Sequence, residues 1–307
     1  MTFKSRFFKS AAALSVAALA LTACGDDGED AANGNGDTAA EGNGGEVTIG
    51  VFNGWEEGIA VSELWAYVLE DEGYEVNLEY ADPAPVYSGL STNDCNVTLD
   101  AWLPVTHADY VDEYSDDIED LGAWNDEASL HIAVNEDAPI DSLDELADNA
   151  DEFNNEIVGI DPGAGLVQET ENEVIPTYEL EDMDFTTSST PAMLQELDTA
   201  IAAGDNIAVT LWRPHWAYDA FPIKDLEDPE GALGGAESMH TFANAEWAAD
   251  EANADIVGWF ENFEMDSDTL YSLENEMFNE NEDVDDYRPI IEDWAADNQE
   301  YIDGLTN

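Results

Sequence analysis

Between Asp100 and His107 the chain reads Asp-Ala-Trp-Leu-Pro-Val-Thr-His, an aromatic face and an imidazole five positions apart across a proline. A Trp face attracts a cation through its ring quadrupole, and a quaternary ammonium suits it best, because such a group has no N–H to give a carboxylate. The imidazole of His107 can donate a hydrogen bond to an anion. The two ends of the stretch together point to a small zwitterion with a methylated cationic head and a carboxylate tail. The same residues also fit Trp102 in a core and His107 on a solvated loop, since buried aromatics are common. The choice rests on what the rest of the chain brings alongside.

Two further Trp residues stand at comparable places. Val47 to Phe52 has the apolar run of a buried strand, and Asn53-Gly54-Trp55 turns it into a helix whose Ile59, Val61, Leu64, Val68 and Leu69 recur at helical spacing. Trp55 therefore lies at a strand-to-helix junction, the rim of an open α/β sheet where ligands bind. Tyr74 to Leu78 gives the next strand, a short helix follows near Pro85 to Leu90, and Val97 to Ala101 is a strand ending at Trp102. Leu130 to Val134 is a further short strand, and Ser142 with Glu145 three residues on has the pattern of a helix N-cap. Pro191 to Ala203 is an amphipathic helix, and Ile207 to Leu211 is a strand running into Trp212-Arg213-Pro214-His215-Trp216. His215, Arg213 and Trp216 are expected to support the position of Trp212, Arg213 by pairing with one of the many carboxylates. Trp247, Trp259 and Trp294 fall in C-terminal helical patterns and are read as packing residues.

After the strand Ile157 to Ile160 comes Asp161-Pro162-Gly163-Ala164-Gly165-Leu166. A Gly-rich turn between strand and helix exposes N–H groups at a positive helix end, which suits a carboxylate as well as a phosphate. No Gly-Lys-Ser/Thr follows, so it is not a P-loop; taken alone it also fits a plain turn.

Composition narrows the class. Lys4, Arg6 and Lys9 precede an apolar run from Ala11 to Leu21, a secretory signal over residues 1–23, and Leu21-Thr22-Ala23-Cys24 resembles a lipobox in which Cys24 becomes the lipid anchor. Residues 24–45 are rich in Gly, Asn, Asp, Ala and Glu without apolar periodicity, a flexible tether. With Cys24 assigned to the anchor, Cys95 has no disulfide partner, no cysteine-based metal site is possible, and Cys95 reads as a small buried filler. The formal net charge is -67, and the signal holds three of the six basic side chains and none of the 73 acidic ones. Such a charge opposes compaction at low ionic strength, but at ~1 M salt the screening length falls to about 3 Å. Brine is the inferred habitat, and nucleic acid and anionic membrane surfaces are excluded as partners. Disorder is not the explanation, because 44% of the residues are hydrophobic and patterned.

Asp100 to His107, Gly159 to Gly165 and Leu211 to Trp216, in this order, resemble the glycine betaine substrate-binding proteins of ABC importers. The resemblance runs from about Val47 to the C-terminal helices. It implies an α/β, two-lobed type II periplasmic-binding-protein fold with the ligand cleft between the lobes: 46–135 as the first part of lobe 1, 136–236 as lobe 2, and 237–307 as the return to lobe 1 with the C-terminal helices. It implies that Trp55, Trp102 and Trp212 box a trimethylammonium group. His107 and the backbone amides of Gly165 and Leu166 would then take the carboxylate. It further implies no catalysis, cofactor or metal, ABC permease and ATPase subunits as partners, and a lipid-anchored place on the extracytoplasmic face of the cell membrane. Glycine betaine, proline betaine, carnitine, choline and dimethylsulfoniopropionate are not distinguished.

Two other classes compete. A secreted carbohydrate-active hydrolase would stack sugars on Trp and use paired carboxylates, but no acid pair is singled out, and there is no Gly-x-Ser-x-Gly or His-Glu-x-x-His motif. A structural surface lipoprotein would take no ligand. The charge alone generates one expectation: the melting temperature should climb steeply between low and molar salt, and a flat profile in a salt series would mean that the charges never opposed folding.

Overall fold

The computed structural model describes residues 44–281, 284 and 286–307; the signal, Cys24 and nearly all of the tether lie outside them. Among the described residues nine strands form one mixed sheet: β1 (Glu46–Phe52), β2 (Glu75–Ala81), β3 (Val97–Leu103), β4 (Ile118–Asn135), β5 (Glu156–Gly159), β6 (Asp184–Thr187), β7 (Ala208–Arg213), β8 (Ile223–Asp225) and β9 (Ala236–Asn244). Their order is β2-β1-β3-β9-β4-β7-β5-β6, with β8 added on β4. Strands β2, β1 and β3 are parallel, as are β6, β5 and β7. The helices that matter for the cleft are α1 (Glu56–Asp71), α2 (Pro83–Thr92), α3 (Ala108–Tyr114) and α4 (Gly165–Glu169).

The two lobes are joined through β4. Its residues from Ile118 to Ser129 pair with β9, and those from Ser129 to Val134 pair with β7. Only the second half of this strand, Leu130 to Val134, is expected from the sequence. The first half is hidden because its pairing with β9 is irregular between Asp120 and Gly122, Ala123 and Asn125, and Asn125 and Ala128. Bulges break the two-residue alternation on which a strand is recognised.

Elsewhere the apolar patterns translate directly. Val97 to Trp102 is buried along its whole length, as a strand covered on both faces requires. Helix α1 turns Ile59, Val61, Leu64, Val68 and Leu69 inward. Cys95 is buried, its sulfur packed beside Gly89. The N-cap expected at Ser142 does not form. The hydroxyl donates to the carbonyl of Glu227, the Glu145 carboxylate accepts from the backbone N–H of Asp141, and the segment makes only a 3₁₀ turn, Leu143–Glu145.

Among the C-terminal aromatics, Trp294 is 1% exposed and Trp247 is buried, but Trp259 is only half-buried, edge-on to Tyr74 at 6.1 Å. The helix Ala254–Glu261 directs Ile256 and Phe260 into the core, and Trp259, one position round the helix, falls on its flank. Trp259, read as a packing residue, packs against the core only from its flank, whereas Ile256, Phe260 and Phe263 are buried. The central aromatic packing is Trp65 against Phe260 and Phe263, with ring centroids at 4.6 and 5.3 Å.

The three basic side chains of the described region are all paired: Arg213 with Asp225, Lys224 with Asp141, and Arg288 with Glu70 and Glu292. Almost the entire acidic surface is thus left to the solvent's counterions.

Truncation should separate the two C-terminal Trp residues. Trp294→Ala is expected to remove about 3 to 5 kcal/mol of folding stability, and Trp259→Ala less than about 2. Denaturant unfolding in molar salt checks this, and equal losses would contradict the burial assigned here.

Candidate ligand-binding cleft

Trp55 ends the turn after β1, Trp102 lies in β3, Trp212 lies in β7, and Gly165 and Leu166 open α4 after β5. All five line one cleft, with Glu57 and Thr106 among its other walls. Trp55, Trp102, Glu57 and Thr106 come from the β1–β3 half, whereas Trp212, Gly165 and Leu166 come from the β5–β7 half.

Each indole is held by a different contact. Trp102 donates its Nε1–H to Asp100 Oδ1 at 2.7 Å, two residues back on the same face of β3. Trp212 donates its Nε1–H to Glu57 Oε2 at 2.9 Å, from the other half of the fold. Trp55 stacks on His107, with ring centroids 5.5 Å apart and planes 21° from parallel, and meets Phe52 edge-on at 5.1 Å. The supporting group after Trp212 behaves as expected. His215 sits edge-on to Trp212 at 4.7 Å, Trp216 is buried, and Arg213 donates to Asp225 at 2.8 Å while lying over the Tyr218 ring.

His107 is fully buried and does not itself line the cleft; its neighbour Thr106 does. Its Nδ1 accepts the Trp102 backbone N–H at 2.8 Å, which leaves the proton of a neutral ring on Nε2. Burial lowers its pKa to about 3, so the ring is neutral at ordinary pH. Nε2 has no hydrogen-bond partner among the described residues. A buried donor without an acceptor is costly and asks for one from a ligand.

The loop carrying this His is pinned by a residue that no sequence signal reveals. Glu237, at the start of β9, accepts the backbone N–H groups of Val105 and Thr106 at 2.9 Å each and the Thr106 hydroxyl at 2.5 Å. Across the cleft, a Cβ on Gly165 would stand 2.6 Å from the Thr106 carbonyl oxygen, so only glycine allows this approach. As the first two residues of α4, Gly165 and Leu166 have N–H groups without intrahelical acceptors, at the positive end of the helix.

The cleft's carboxylates are unusual in being buried without a cation. Asp100 is raised well above the usual carboxylate range by desolvation. Glu57 is raised by desolvation first, then by the charges of Asp100, Glu274 and Glu56. Among the described residues no group of His, Cys, Asp and Glu is arranged to hold a metal ion, and no helix is long and apolar enough to cross a membrane.

Comparison with known proteins gives this architecture a family. Residues 45–297 match the substrate-binding domain of ABC-type glycine betaine transport systems. Over 119 residues the chain is 38% identical to the glycine betaine/carnitine transport binding protein GbuC of Listeria monocytogenes. That alignment spans 38% of this chain and 38% of the relative, so only a minor part of that protein's length is matched. The glycine betaine/L-proline-binding protein ProX of Borrelia burgdorferi superposes with a TM-score of 0.78 at 28% identity, over 85% of this chain and 97% of that one. Lactococcal OpuAC, in its closed conformation complexed with glycine betaine, shares the fold with a TM-score of 0.78 at 24% identity, over 85% of this chain and 99% of that one. A two-lobed type II periplasmic-binding-protein fold, with a match running through nearly all of the described residues, means that the chain belongs to the family of substrate-binding domains of ABC-type glycine betaine transport systems.

Proposed function

We propose that this protein captures glycine betaine, or a related quaternary-ammonium osmolyte, outside the cytoplasm and delivers it to an ABC permease driven by its ATPase, with Cys24 as the lipid anchor to the membrane. The observation that carries the reading is the convergence of three indoles and a helix N-terminus on one cleft. The trimethylammonium group would sit between the faces of Trp55, Trp102 and Trp212. Its carboxylate would accept from the N–H groups of Gly165 and Leu166 and from Nε2 of His107. Strands β4 and β9, which link the two halves of the sheet, would act as the hinge, so that closure brings Trp212 and Gly165 against the Trp55–Trp102 side.

The magnitudes are adequate. Three cation–π contacts at ~0.5 to 2 kcal/mol each, with charge-assisted bonds at ~1.5 to 3, offset the ordering loss and leave roughly micromolar affinity, about −8 kcal/mol. A hydrolase reading finds no support in the cleft: its two buried acids, Glu57 and Asp100, are both engaged by indole N–H groups. The acidic surface supports a protein working in brine, where the osmolyte is needed.

Calorimetric titration in molar salt against glycine betaine, proline betaine, carnitine, choline and dimethylsulfoniopropionate tests the ligand. Glycine betaine is expected to bind unchanged, and choline, which lacks the carboxylate, much more weakly; equal affinities would sink the carboxylate assignment. His107→Ala, which also removes the ring that Trp55 stacks on, should weaken both ligands, and betaine by about 1.5 to 3 kcal/mol more than choline. Trp102→Ala and Trp212→Ala should each remove about 1 to 2 kcal/mol or more of betaine affinity. Full affinity in either Trp variant would take that residue out of the cage.

A further inference from the structure

Aromatic faces alone explain attraction to a methylated cation, yet they also welcome a neutral group of the same shape. The cleft holds something more. Glu57 forms part of its wall and accepts from the indole of Trp212; Asp100 lies behind the wall and accepts from the indole of Trp102. Both are 2% exposed, and Glu57 stands in the first turn of α1, where free N–H groups favour a negative charge. Gly58 follows it without a side chain, which lets α1 approach the Asp100 carboxylate more closely than any Cβ would permit. Acidic groups are therefore gathered here by construction, with Glu56 and Glu274 nearby.

Among the described residues no cationic side chain lies against the Glu57–Asp100 pair. Arg213, Lys224 and Arg288 are paired elsewhere, with Asp225, Asp141 and Glu70. His107 is neutral, and His215 reaches Glu56 rather than the pair. A hydrogen bond from an indole N–H to a carboxylate also shifts electron density into the ring, whose negative face is what attracts a cation.

The geometry points to Glu57 and Asp100 as the counter-charge that makes the cleft select a cationic head over a neutral head of equal shape, acting across the rings of Trp212 and Trp102. This rests on the reading of the cleft as a quaternary-ammonium site. With the cleft empty, desolvation and the neighbouring carboxylates favour the protonated form of the pair; a bound cation offsets both effects and favours ionisation. The two acids orient the indoles as well, so charge and orientation must be separated. Replacing the acid by its amide does so, because an amide oxygen still accepts from the indole N–H.

The wild type, Glu57→Gln and Asp100→Asn should be titrated calorimetrically in molar salt with two ligands. One is glycine betaine; the other is its neutral-headed isostere, in which a tert-butyl group replaces the trimethylammonium and the carboxylate is kept. Glu57→Gln is expected to lose about tenfold in betaine affinity while its affinity for the isostere stays within about twofold of wild type. Asp100→Asn should show the same split more weakly, since Asp100 lies behind the wall, and it carries the test if Glu57→Gln does not fold. Equal losses for both ligands would mean that the acids only position the rings, and no loss for either would mean that they are neutral in the complex; both results overturn the inference. A wild type that binds no betaine at all would instead overturn the reading of the cleft.

Discussion

A trimethylammonium group has no hydrogen bond to donate, and the proposed site depends on that. Its receptor must offer π faces, and an indole face serves only while the ring cannot turn away. The one polar group on each ring is its N–H, and for two of the three indoles lining the cleft that N–H is taken by a buried carboxylate: Trp102 by Asp100, Trp212 by Glu57. Trp55, whose Nε1 has no partner, is held instead by stacking on His107 and by the edge of Phe52. Burying two acids is expensive, and the start of α1 reduces that expense for Glu57 by supplying N–H groups and the positive end of its dipole.

The same contacts join recognition to the relation between the lobes. Glu57 and Trp212 are 155 residues apart and belong to different halves of the sheet, as do Thr106 and Gly165. The groups that line the cleft are thus also the groups by which one half grips the other. Strand β4, shared by both halves, keeps them in one piece, and Glu237 on β9 fixes the Val105–Thr106 turn from behind. A ligand filling the cleft would touch both lobes at once, which is how a small molecule can tip a hinge whose two positions differ by only a few kcal/mol.

Much of this was legible in the sequence, and the residues show why. Trp55, Trp102 and Trp212 follow or end apolar runs, and the Gly-rich turn lies between a strand and a helix, so residue type and position along the element were enough. Asp100 was within reach too, because residues two apart on a strand share a face. Glu57 and Glu237 were not: their partners are distant in sequence, and among 73 acids nothing marks these two. The first half of β4 was masked by its bulges, Ser142 has a cap's sequence but spends its hydroxyl on Glu227, and Trp259 matched a helical face whose true centre is Phe260. Each miss is a case in which tertiary contacts outweigh a local pattern.

The most direct test of the account is a crystal structure of the protein grown with glycine betaine. The trimethylammonium carbons should lie against the faces of Trp55, Trp102 and Trp212. The carboxylate should be within hydrogen-bond distance of the Gly165 and Leu166 amides and of Nε2 of His107. Betaine bound elsewhere, or seated here with its carboxylate turned toward Glu57, would contradict it.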